Sequence, residues 1–370
     1  MTSEIFNVRN VPVPDFSKSS RHPGVDALMG LMGDHGFKFY KSPTVGEGSG
    51  PSGLISGDDL VVLKVNGQWK HRGMTNIDVI RGLIQSILDH PDGFTGEVVI
   101  FENGQGRGSL DCDMCDAWYA TDESAANAED PAHTWRWLMD ELYKDEPVSM
   151  ILFDEHHKTS VPEDDHEGQG YRFINPHPER HPWDLTYPVF NTAGGRRVDF
   201  RRGVWTGGGY DESKLKLISV PVMKNHRSTG VTGALKLYFG VLSIHWSSPE
   251  YHDNVGLTCA EMFSHIRAPD LNILDSIWTS LNAVNGHPDT HPQRTNQLSA
   301  SIDPLALDYW ASKNILLPLS LNPLHDPDEP LKFRMRTLLP ALEEFWGCGG
   351  IRGNSVTIDE EEITVHSRIM

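Results

Sequence analysis

The sequence predicts an α/β protein with a mainly parallel sheet flanked by helices, a β-rich insertion and a small C-terminal hairpin. Short β-branched runs at residues 60–65 and 98–101 enclose a segment with helical periodicity at residues 77–87. A strand, a helix and a strand of these lengths form a βαβ unit, whose strands pair in parallel through a right-handed crossover. Residues 158–214 lack helical periodicity and are rich in Pro, Gly and His, which favours short strands there.

Composition restricts the classes of partner. The chain has 370 residues, with 38% hydrophobic and 22% charged residues and a net charge of −19. Nucleic-acid backbones require a basic protein face, so this charge argues against a general nucleic-acid binder. No apolar stretch approaches the roughly 20 residues of a membrane span, and the first residues do not resemble a signal peptide. We therefore expect no nucleic-acid partner, no membrane span and a cytoplasmic location; the oligomeric state is not indicated.

Changes in composition divide the chain into five segments. They are an N-terminal arm and first helix (1–57), the first half of the α/β core (58–157), a β-rich insertion or lid (158–214), the second half of the core (215–346) and a C-terminal hairpin (347–370). The core segments carry predicted strands at 60–65, 98–101, 148–153, 215–222, 271–277 and 298–302. Predicted helices lie at 25–36, 75–87, 133–142, 258–266, 303–311 and 331–345, and two short antiparallel strands at 355–366.

Four cysteines are too few for a disulfide framework. Cys112 and Cys115 form one CxxC pair, but a structural zinc site normally needs a second pair of ligands. The surrounding aspartates favour the protonated thiols over reactive thiolates. This pair is therefore open to two interpretations, a metal or redox pair and a pair of loop thiols.

Polar, titratable residues lie at the ends of five of the six predicted core strands. Ligands of open α/β sheets bind beyond the carboxyl ends of the strands, so these residues predict a common site. The groups at the five strand ends are Lys64 and Asn66; Glu102 and Asn103; Asp154, Glu155, His156 and His157; Lys224, Asn225 and His226; and Asp275.

The segment 218–240 is the strongest candidate within this site. It is predicted to run from a buried strand through a Gly/Thr loop into a helix that carries Lys236. Lysine ammonium groups and the free N–H groups of a helix N-terminus together suit a phosphate or carboxylate. Gly230 and Gly233 would let the backbone approach that anion. We expect Lys64, Asn66, Asn225, Thr232 and Lys236 to bind it, and His226 and Lys224 to be catalytic, with His226 as general acid/base.

A divalent metal is a second possibility at the same edge. Carboxylate and imidazole ligands suit zinc, iron, nickel or manganese, and Glu102, Asp154, His156 and Asp275 would serve as metal ligands or as counter-charges. Adjacent histidines point in different directions in an extended chain, so further ligands would have to come from other strands. The sequence GQGRG at 104–108 could cradle phosphate but lacks the spacing of a dinucleotide or P-loop motif. No GxSxG nucleophile elbow is present.

Several motifs in this order resemble the domain of unknown function 362 family. They are LKVN at 63–66, MTNIDVI at 74–80, FENG at 101–104, KNHRSTGVTGALKLYFG at 224–240, LNILDSI at 271–277 and DPLALD at 303–308. The resemblance covers residues 58–315, interrupted by 104–215. Val65 stands where the family has Pro, and Leu237 where it usually has Asn. The resemblance implies the α/β fold and the shared polar edge, but it implies no reaction.

Three functions are compatible with these residues. The first is an enzyme that acts on a small anionic compound bearing phosphate or carboxylate. The second is a non-catalytic metal- or cofactor-binding protein, including a maturation protein. The third is a metal-dependent redox or racemase enzyme. Stoichiometric metal in the purified protein would favour the second or third, whereas phosphate-dependent thermal stabilisation would favour the first.

Overall fold

The computed structural model describes eleven stretches of the chain. GQGRG, Cys112 and Cys115 lie outside them, so the predictions on those residues remain predictions. The described residues are 2–67, 71–103, 126–175, 184–226, 229–243, 245–246, 250–281, 292–329, 333–341, 350–351 and 354–370.

The strands form one large sheet, one five-stranded sheet and two small pairs. In chain order they are β1 Ser3–Arg9, β2 Tyr40–Lys41, β3 Ser49–Gly50, β4 Leu60–Val65, β5 Glu97–Glu102, β6 Val148–Leu152, β7 Gly170–Ile174, β8 Leu185–Asn191, β9 Arg197–Asp199, β10 Gly203–Trp205, β11 Tyr210–Asp211, β12 Leu215–Val220, β13 Val222–His226, β14 Gly230–Thr232, β15 Leu271–Ser280, β16 Gln293–Ser301, β17 Gly350–Ile351, β18 Asn354–Ser355 and β19 Ile363–Ile369.

The α-helices range from one turn to three turns. They are α1 Pro23–Asp34, α2 Ile77–Leu88, α3 Trp135–Trp137, α4 Ala234–Leu237, α5 Glu250–Asp253, α6 Val255–His265, α7 Pro304–Ala311 and α8 Leu317–Ser320. None of the described helices is long and apolar enough to cross a membrane. Asn76 caps α2 by accepting hydrogen bonds from the amides of Asp78 and Val79, as its sequence position predicts.

The large sheet is mainly parallel, as predicted. Its order is β19-β1-β16-β15-β12-β4-β5-β6, and β13 joins at β15 with β14 paired to it. All pairs from β15 through β12, β4 and β5 to β6 are parallel. The two pairs made by β16, with β1 and with β15, are antiparallel. The parallel part therefore brings the carboxyl ends of β12, β4, β5 and β6 to one edge.

The five-stranded antiparallel sheet, β11-β10-β9-β8-β7, is made by the segment predicted as a β-rich insertion. Its apolar side chains pack on the large sheet: the ring of Phe101 lies 5.7 Å from Phe190 and 5.5 Å from Phe200, between centroids. These residues belong to an insertion-side hydrophobic cluster that also holds Leu60 and Val62. The alternate residues Val61 and Leu63 belong to an α2-side cluster on the opposite face. Both faces of β4 are covered, which explains its continuous apolar run.

Three segments differ from the sequence prediction. Residues 3–9, predicted as part of an extended arm, form β1 inside the large sheet. The strand predicted at 215–222 is divided at Pro221, which has no N–H to donate, and its second part pairs with β14 as a hairpin. The predicted antiparallel pair at 355–366 is wrong in position: β17 and β18 form such a pair at 350–355, whereas β19 pairs in parallel with β1. Local alternation identifies a strand but not a partner some 360 residues away in the chain.

Candidate functional site

A buried ion pair links the ends of β4 and β5. Lys64 Nζ lies 2.6 Å from Glu102 Oε1, and both side chains are almost fully buried. The same ammonium group donates to the carbonyl of Val65 at 2.7 Å. Glu102 also accepts hydrogen bonds from the amides of Gly67 at 2.5 Å and Asn103 at 2.8 Å. Lys64 and Glu102, which were predicted as separate contributors to one site, are therefore direct partners.

Burial opposes charge on both members of this pair. It lowers the pKa of Lys64 and raises the pKa of Glu102, while the charge of each partner acts in the opposite direction. A buried ion pair is tolerated only when its remaining polar atoms are also hydrogen-bonded. The two backbone amides and the Val65 carbonyl fulfil that role at this strand edge.

Lys224 lies on β13, with its side chain turned away from the insertion-side cluster. Its neighbour Met223 belongs to that cluster, so the alternation of side chains places Lys224 on the other face. There its ammonium group donates to the carbonyl of Gly73 and lies 3.5 Å from Asn66 Oδ1. Burial lowers the pKa of Lys224 well below its ordinary value, the charge of Lys236 lowers it further, and the charge of Glu102 raises it. Lys224 and Asn66, both predicted as residues of one site, are therefore close to each other.

Thr232 on β14 lies directly opposite Lys224 in the hairpin. Its hydroxyl group is buried and has no hydrogen-bond partner among the described residues. On the other side of Lys224, Ser280 of β15 is its partner in register, and the Ser280 hydroxyl is equally buried and unpartnered within the described chain. A buried hydroxyl without a partner costs free energy, so this row of the sheet is suited to a polar ligand.

Lys236 lies in the one-turn helix α4 and is half-buried. Burial lowers its pKa to about 8, with a further lowering by the charge of Lys64. Its ammonium group lies 4.7 Å from the ring centroid of Phe239, which contributes a cation–π contact. The charge of Lys64 therefore acts on Lys236 and the charge of Lys236 acts on Lys224, while Glu102 interacts with Lys64 and Lys224.

The side chains of His226 and Asn225 diverge because they are adjacent on β13. His226 shares the face of Lys224, and its Nδ1 accepts a hydrogen bond from the amide of Thr229 at 3.2 Å. In the neutral imidazole the proton is therefore on Nε2. Asn225 instead contacts His325, with 2.6 Å between Asn225 Oδ1 and His325 Nε2. The grouping of Asn225 with the anion-binding residues is thus not supported by its described contact.

The N-terminus of α4 is occupied by a protein carboxylate, contrary to the prediction that its N–H groups are free for a ligand. Asp308 accepts hydrogen bonds from the amides of Ala234 at 2.6 Å and Leu235 at 3.0 Å. A Cβ atom at position 233 would lie 2.0 Å from Asp308 Oδ1, so the absence of a side chain at Gly233 makes room for this carboxylate. Gly230 has φ +82°, the left-handed conformation of a hairpin turn. The backbone conformation at position 230 and the close approach of Asp308 at position 233 thus explain both glycines without a ligand.

Asp275, Asp154 and His156 lie around the cluster without a described side-chain contact to its lysines. Asp275 is buried and accepts hydrogen bonds from the amides of Asn76 at 2.7 Å and Ile277 at 2.9 Å, and burial raises its pKa to about 7. Asp154 is buried after β6; the pKa of Tyr171 is raised by burial and, in addition, by the charges of Asp154 and Glu102. The ring centroids of His156 and Phe153 lie 4.9 Å apart, and burial lowers the pKa of His156. Within the described chain, no three His, Cys, Asp or Glu side chains form a group that could hold a metal ion.

Sequence reasoning missed three residues of this region. Asp308 ends the DPLALD motif, whose helix start was recognised while its last carboxylate was given no role. His325 lies in a Pro- and Leu-rich segment; its Nδ1 is 2.6 Å from Ser320 Oγ, and burial lowers its pKa to about 4. Ser280 lies between Thr279 and Leu281 at the end of β15 and belongs to none of the recognised motifs. For these residues the only local signal was the carboxylate of Asp308 inside an otherwise apolar helix.

Residues 213–313 match the sequence profile of the family described as Domain of unknown function (DUF362). The matched segment contains β12 to β16 with Lys224, Thr232, Lys236 and Asp308, about a quarter of the chain. No curated protein and no solved structure matches the chain. The matched segment contains three of the six motifs, at 224–240, 271–277 and 303–308, and this part of the chain is therefore similar to the domain of unknown function 362 family.

Proposed function

We propose that the lysine cluster binds a small anionic compound bearing phosphate or carboxylate, and that the protein is an enzyme acting on it. The observation that carries this proposal is the charge balance of the cluster. Three lysines, Lys64, Lys224 and Lys236, interact through their charges in a mostly buried environment, and within the described part of the chain Glu102 is the carboxylate that acts on Lys64 and Lys224. When all four groups are charged, two positive charges are in excess, and an anion would compensate them.

The lowered pKa values of Lys224 and Lys236 agree with this proposal. Burial and mutual repulsion disfavour their charged forms in the absence of an anion. A bound anion would favour those charged forms, because an opposite charge within a few ångströms raises the pKa of a lysine. Binding and proton uptake are therefore coupled. Thr232 would add a hydroxyl donor, and the half-buried Lys236 would lie nearest to solvent.

The catalytic part of the proposal assigns proton transfer to His226 and Lys224. They alternate on one face of β13, and the amide of Thr229 fixes the orientation of the imidazole. An imidazole held in this way can donate or accept a proton at Nε2 near neutral pH. A buried lysine with a lowered pKa can also act as a base, because a larger fraction of its amino groups is neutral at a given pH. The reaction class is left open by these residues.

Thermal unfolding in phosphate tests the binding part. We expect inorganic phosphate to raise the unfolding temperature relative to chloride at equal ionic strength, because a ligand that binds only the folded state stabilises it. The effect should decline as the pH rises above about 8, where Lys236 loses its charge. Lys236→Gln should abolish most of the effect.

Lys144→Gln is the matched control, because Lys144 is exposed and lies in the turn before β6. This variant should respond to phosphate as the wild type does. Equal stabilisation by phosphate and chloride in the wild type, or an undiminished phosphate effect in Lys236→Gln, would refute the proposed site.

A further inference from the structure

Three polar side chains lie side by side on adjacent strands of the candidate site. Lys224 of β13 pairs in register with Thr232 of β14 on one side and with Ser280 of β15 on the other. Residues paired in register present their side chains to the same face of a sheet. Neighbouring strands are about 4.8 Å apart, so each hydroxyl-bearing residue lies about one strand spacing from the lysine. Thr232, Lys224 and Ser280 thus form one row, the hydroxyl–lysine row.

Both hydroxyl groups of this row are buried and unpartnered. Thr232 is 3% exposed and Ser280 is fully buried, and neither hydroxyl has a hydrogen-bond partner among the residues that the structure describes. Buried polar side chains are hydrogen-bonded in the large majority of cases. Ser219 and Ser276 share this property within the described chain, but neither flanks a lysine together with a second such hydroxyl. The position on both sides of a buried lysine therefore distinguishes Thr232 and Ser280.

The hydroxyl–lysine row discriminates between two classes of anion. Lys224 supplies positive charge in the middle, and a hydroxyl-bearing side chain lies on either side. A phosphate or sulfate group has three or four oxygens that point in different directions, so one oxygen can face each of the three side chains. A carboxylate has two oxygens in one plane, so it leaves one hydroxyl without a partner or makes two donors share one oxygen. The row is therefore better matched to a tetrahedral oxyanion.

We propose that Ser280 and Thr232 are ligand-binding residues that select a tetrahedral oxyanion, a phosphate or sulfate group, over a carboxylate at the lysine cluster. The selection rests on the proposed function, because it concerns the anion bound at that same cluster. It narrows the ligands from all small anionic compounds to those that carry a phosphate-type group, and it gives Ser280 a role beside Lys224.

The affinities of the full-length protein for inorganic phosphate and for malonate test this proposal. Calorimetric titration in chloride buffer of constant ionic strength measures both. Malonate is a dicarboxylate that carries two negative charges near neutral pH, as the dianionic form of phosphate does, so a difference in affinity does not reflect total charge. We expect phosphate to bind about tenfold more tightly than malonate, because only phosphate satisfies both hydroxyl groups.

Ser280→Ala removes one hydroxyl group from the row. It should weaken the binding of phosphate by about tenfold and that of malonate by less than about twofold, because a hydrogen bond to a charged group is lost only with phosphate. Ser276→Ala is the matched control, since Ser276 is a buried serine of the same strand whose hydroxyl is likewise unpartnered within the described residues but lies outside the row. This control should keep both affinities.

Thr232 allows a second comparison between variants of similar shape. Thr232→Val removes the hydroxyl group and should weaken phosphate binding by about tenfold, whereas Thr232→Ser keeps the hydroxyl group and should retain most of the affinity. In chloride alone, Ser280→Ala and Thr232→Val should unfold at temperatures no lower than the wild type, because an unpartnered hydroxyl does not stabilise the ligand-free protein. A purely structural hydroxyl would instead lower the unfolding temperature when it is removed.

Two kinds of failure are distinguishable. Equal affinities for phosphate and malonate in the wild type, or an unchanged phosphate affinity in both Ser280→Ala and Thr232→Val, would overturn the selection but leave an anion site at the lysine cluster. No binding of either anion to the wild type would refute the anion site itself, and the selection with it.

Discussion

At the scale of single residues, the ion pair between Lys64 and Glu102 is the most consequential contact of the candidate site. Two charges have been removed from water and are balanced by each other and by backbone groups. The sequence indicated that both residues lie at the same edge. It could not indicate that they neutralise each other, because the pairing depends on the adjacency of β4 and β5, which is a long-range property of the fold.

Glu102→Gln should lower the free energy of unfolding by about 3 kcal/mol, because it leaves the ammonium group of Lys64 buried without a counter-charge. Urea denaturation measures this loss. Glu163→Gln is the control, since Glu163 pairs with Arg202 at the surface and its loss should cost less than about 1 kcal/mol.

The double variant Lys64→Met/Glu102→Gln should recover much of the stability lost in Glu102→Gln, since no buried charge remains unpaired. If Glu102→Gln instead destabilises the protein no more than Glu163→Gln does, the two groups are not charged partners in the folded chain.

Residue types also account for what the sequence could and could not assign within the site. Lys224, Lys236 and Thr232 were predicted as site residues because cationic and hydroxyl groups lie near a buried strand and a glycine-rich turn, and their role there stays a prediction. Asn225 was grouped with them although it is adjacent to Lys224 on a strand, and adjacent strand residues face opposite sides. Its partner His325 follows 100 positions later in the chain, where no local pattern marks it.

At the scale of elements, the helix α4 is held by Asp308 rather than by a ligand. This buried carboxylate accepts hydrogen bonds from two amides at the start of the helix, and burial raises its pKa to about 7. The motif DPLALD thus connects α7 to the lysine-bearing helix. The sequence predicted the start of α7 from Asp303 and Pro304, but tertiary contact alone defines the role of Asp308.

The stability of the protein should decrease with pH through this carboxylate. The folded pKa of Asp308, about 7, lies above the ordinary value of 3.8, so its stabilising contribution is fully present below about pH 4 and is lost as the pH rises to about 7. The slope from one such group is at most about 1.4 kcal/mol per pH unit. Asp308→Asn should therefore flatten the dependence of the unfolding free energy on pH between these limits.

Denaturation of both proteins at several pH values measures this difference. The comparison with the wild type is necessary because Asp275 and Glu261 also have pKa values raised to about 7 by burial. Identical slopes for the wild type and Asp308→Asn would contradict the assignment of a raised pKa to Asp308.

A second element, the one-turn helix α8, ends at an unfavourable residue. Leu321 has φ +52° in the left-handed region and is 82% exposed. A helix commonly ends with glycine in this conformation, since a side chain there is strained. Leu321→Gly should raise the free energy of unfolding by about 0.5–1 kcal/mol.

Leu319→Gly is the matched control for this substitution. Leu319 lies inside α8, in a right-handed turn, where glycine is about 1 kcal/mol less favourable than a helix-forming residue. In thermal unfolding, Leu321→Gly should raise the unfolding temperature and Leu319→Gly should lower it. A loss of stability in Leu321→Gly as large as that in Leu319→Gly would contradict the argument from backbone strain.

At the scale of the whole molecule, the sequence predicted the architecture because its parallel strands are buried on both faces. Continuous apolar runs such as 60–65 and 98–101 identify central strands, and the glycine- and proline-rich segment between the core halves identifies the antiparallel insertion. The sequence did not predict that β1 and β19 belong to the large sheet. β1 pairs with β16 and with β19, both of which are distant from it in the chain, so no local pattern shows that β1 and β19 belong to the large sheet.

An anion bound at the lysine cluster is the central proposal for this molecule, and a crystal structure with tungstate, a heavy analogue of phosphate, tests it most directly. We expect an anomalous peak within hydrogen-bond distance of the ammonium groups of Lys224 and Lys236, and no such peak in crystals of Lys236→Gln. Tungstate bound only at surface residues, with the cluster of Lys64, Lys224 and Lys236 unoccupied by it, would contradict the account.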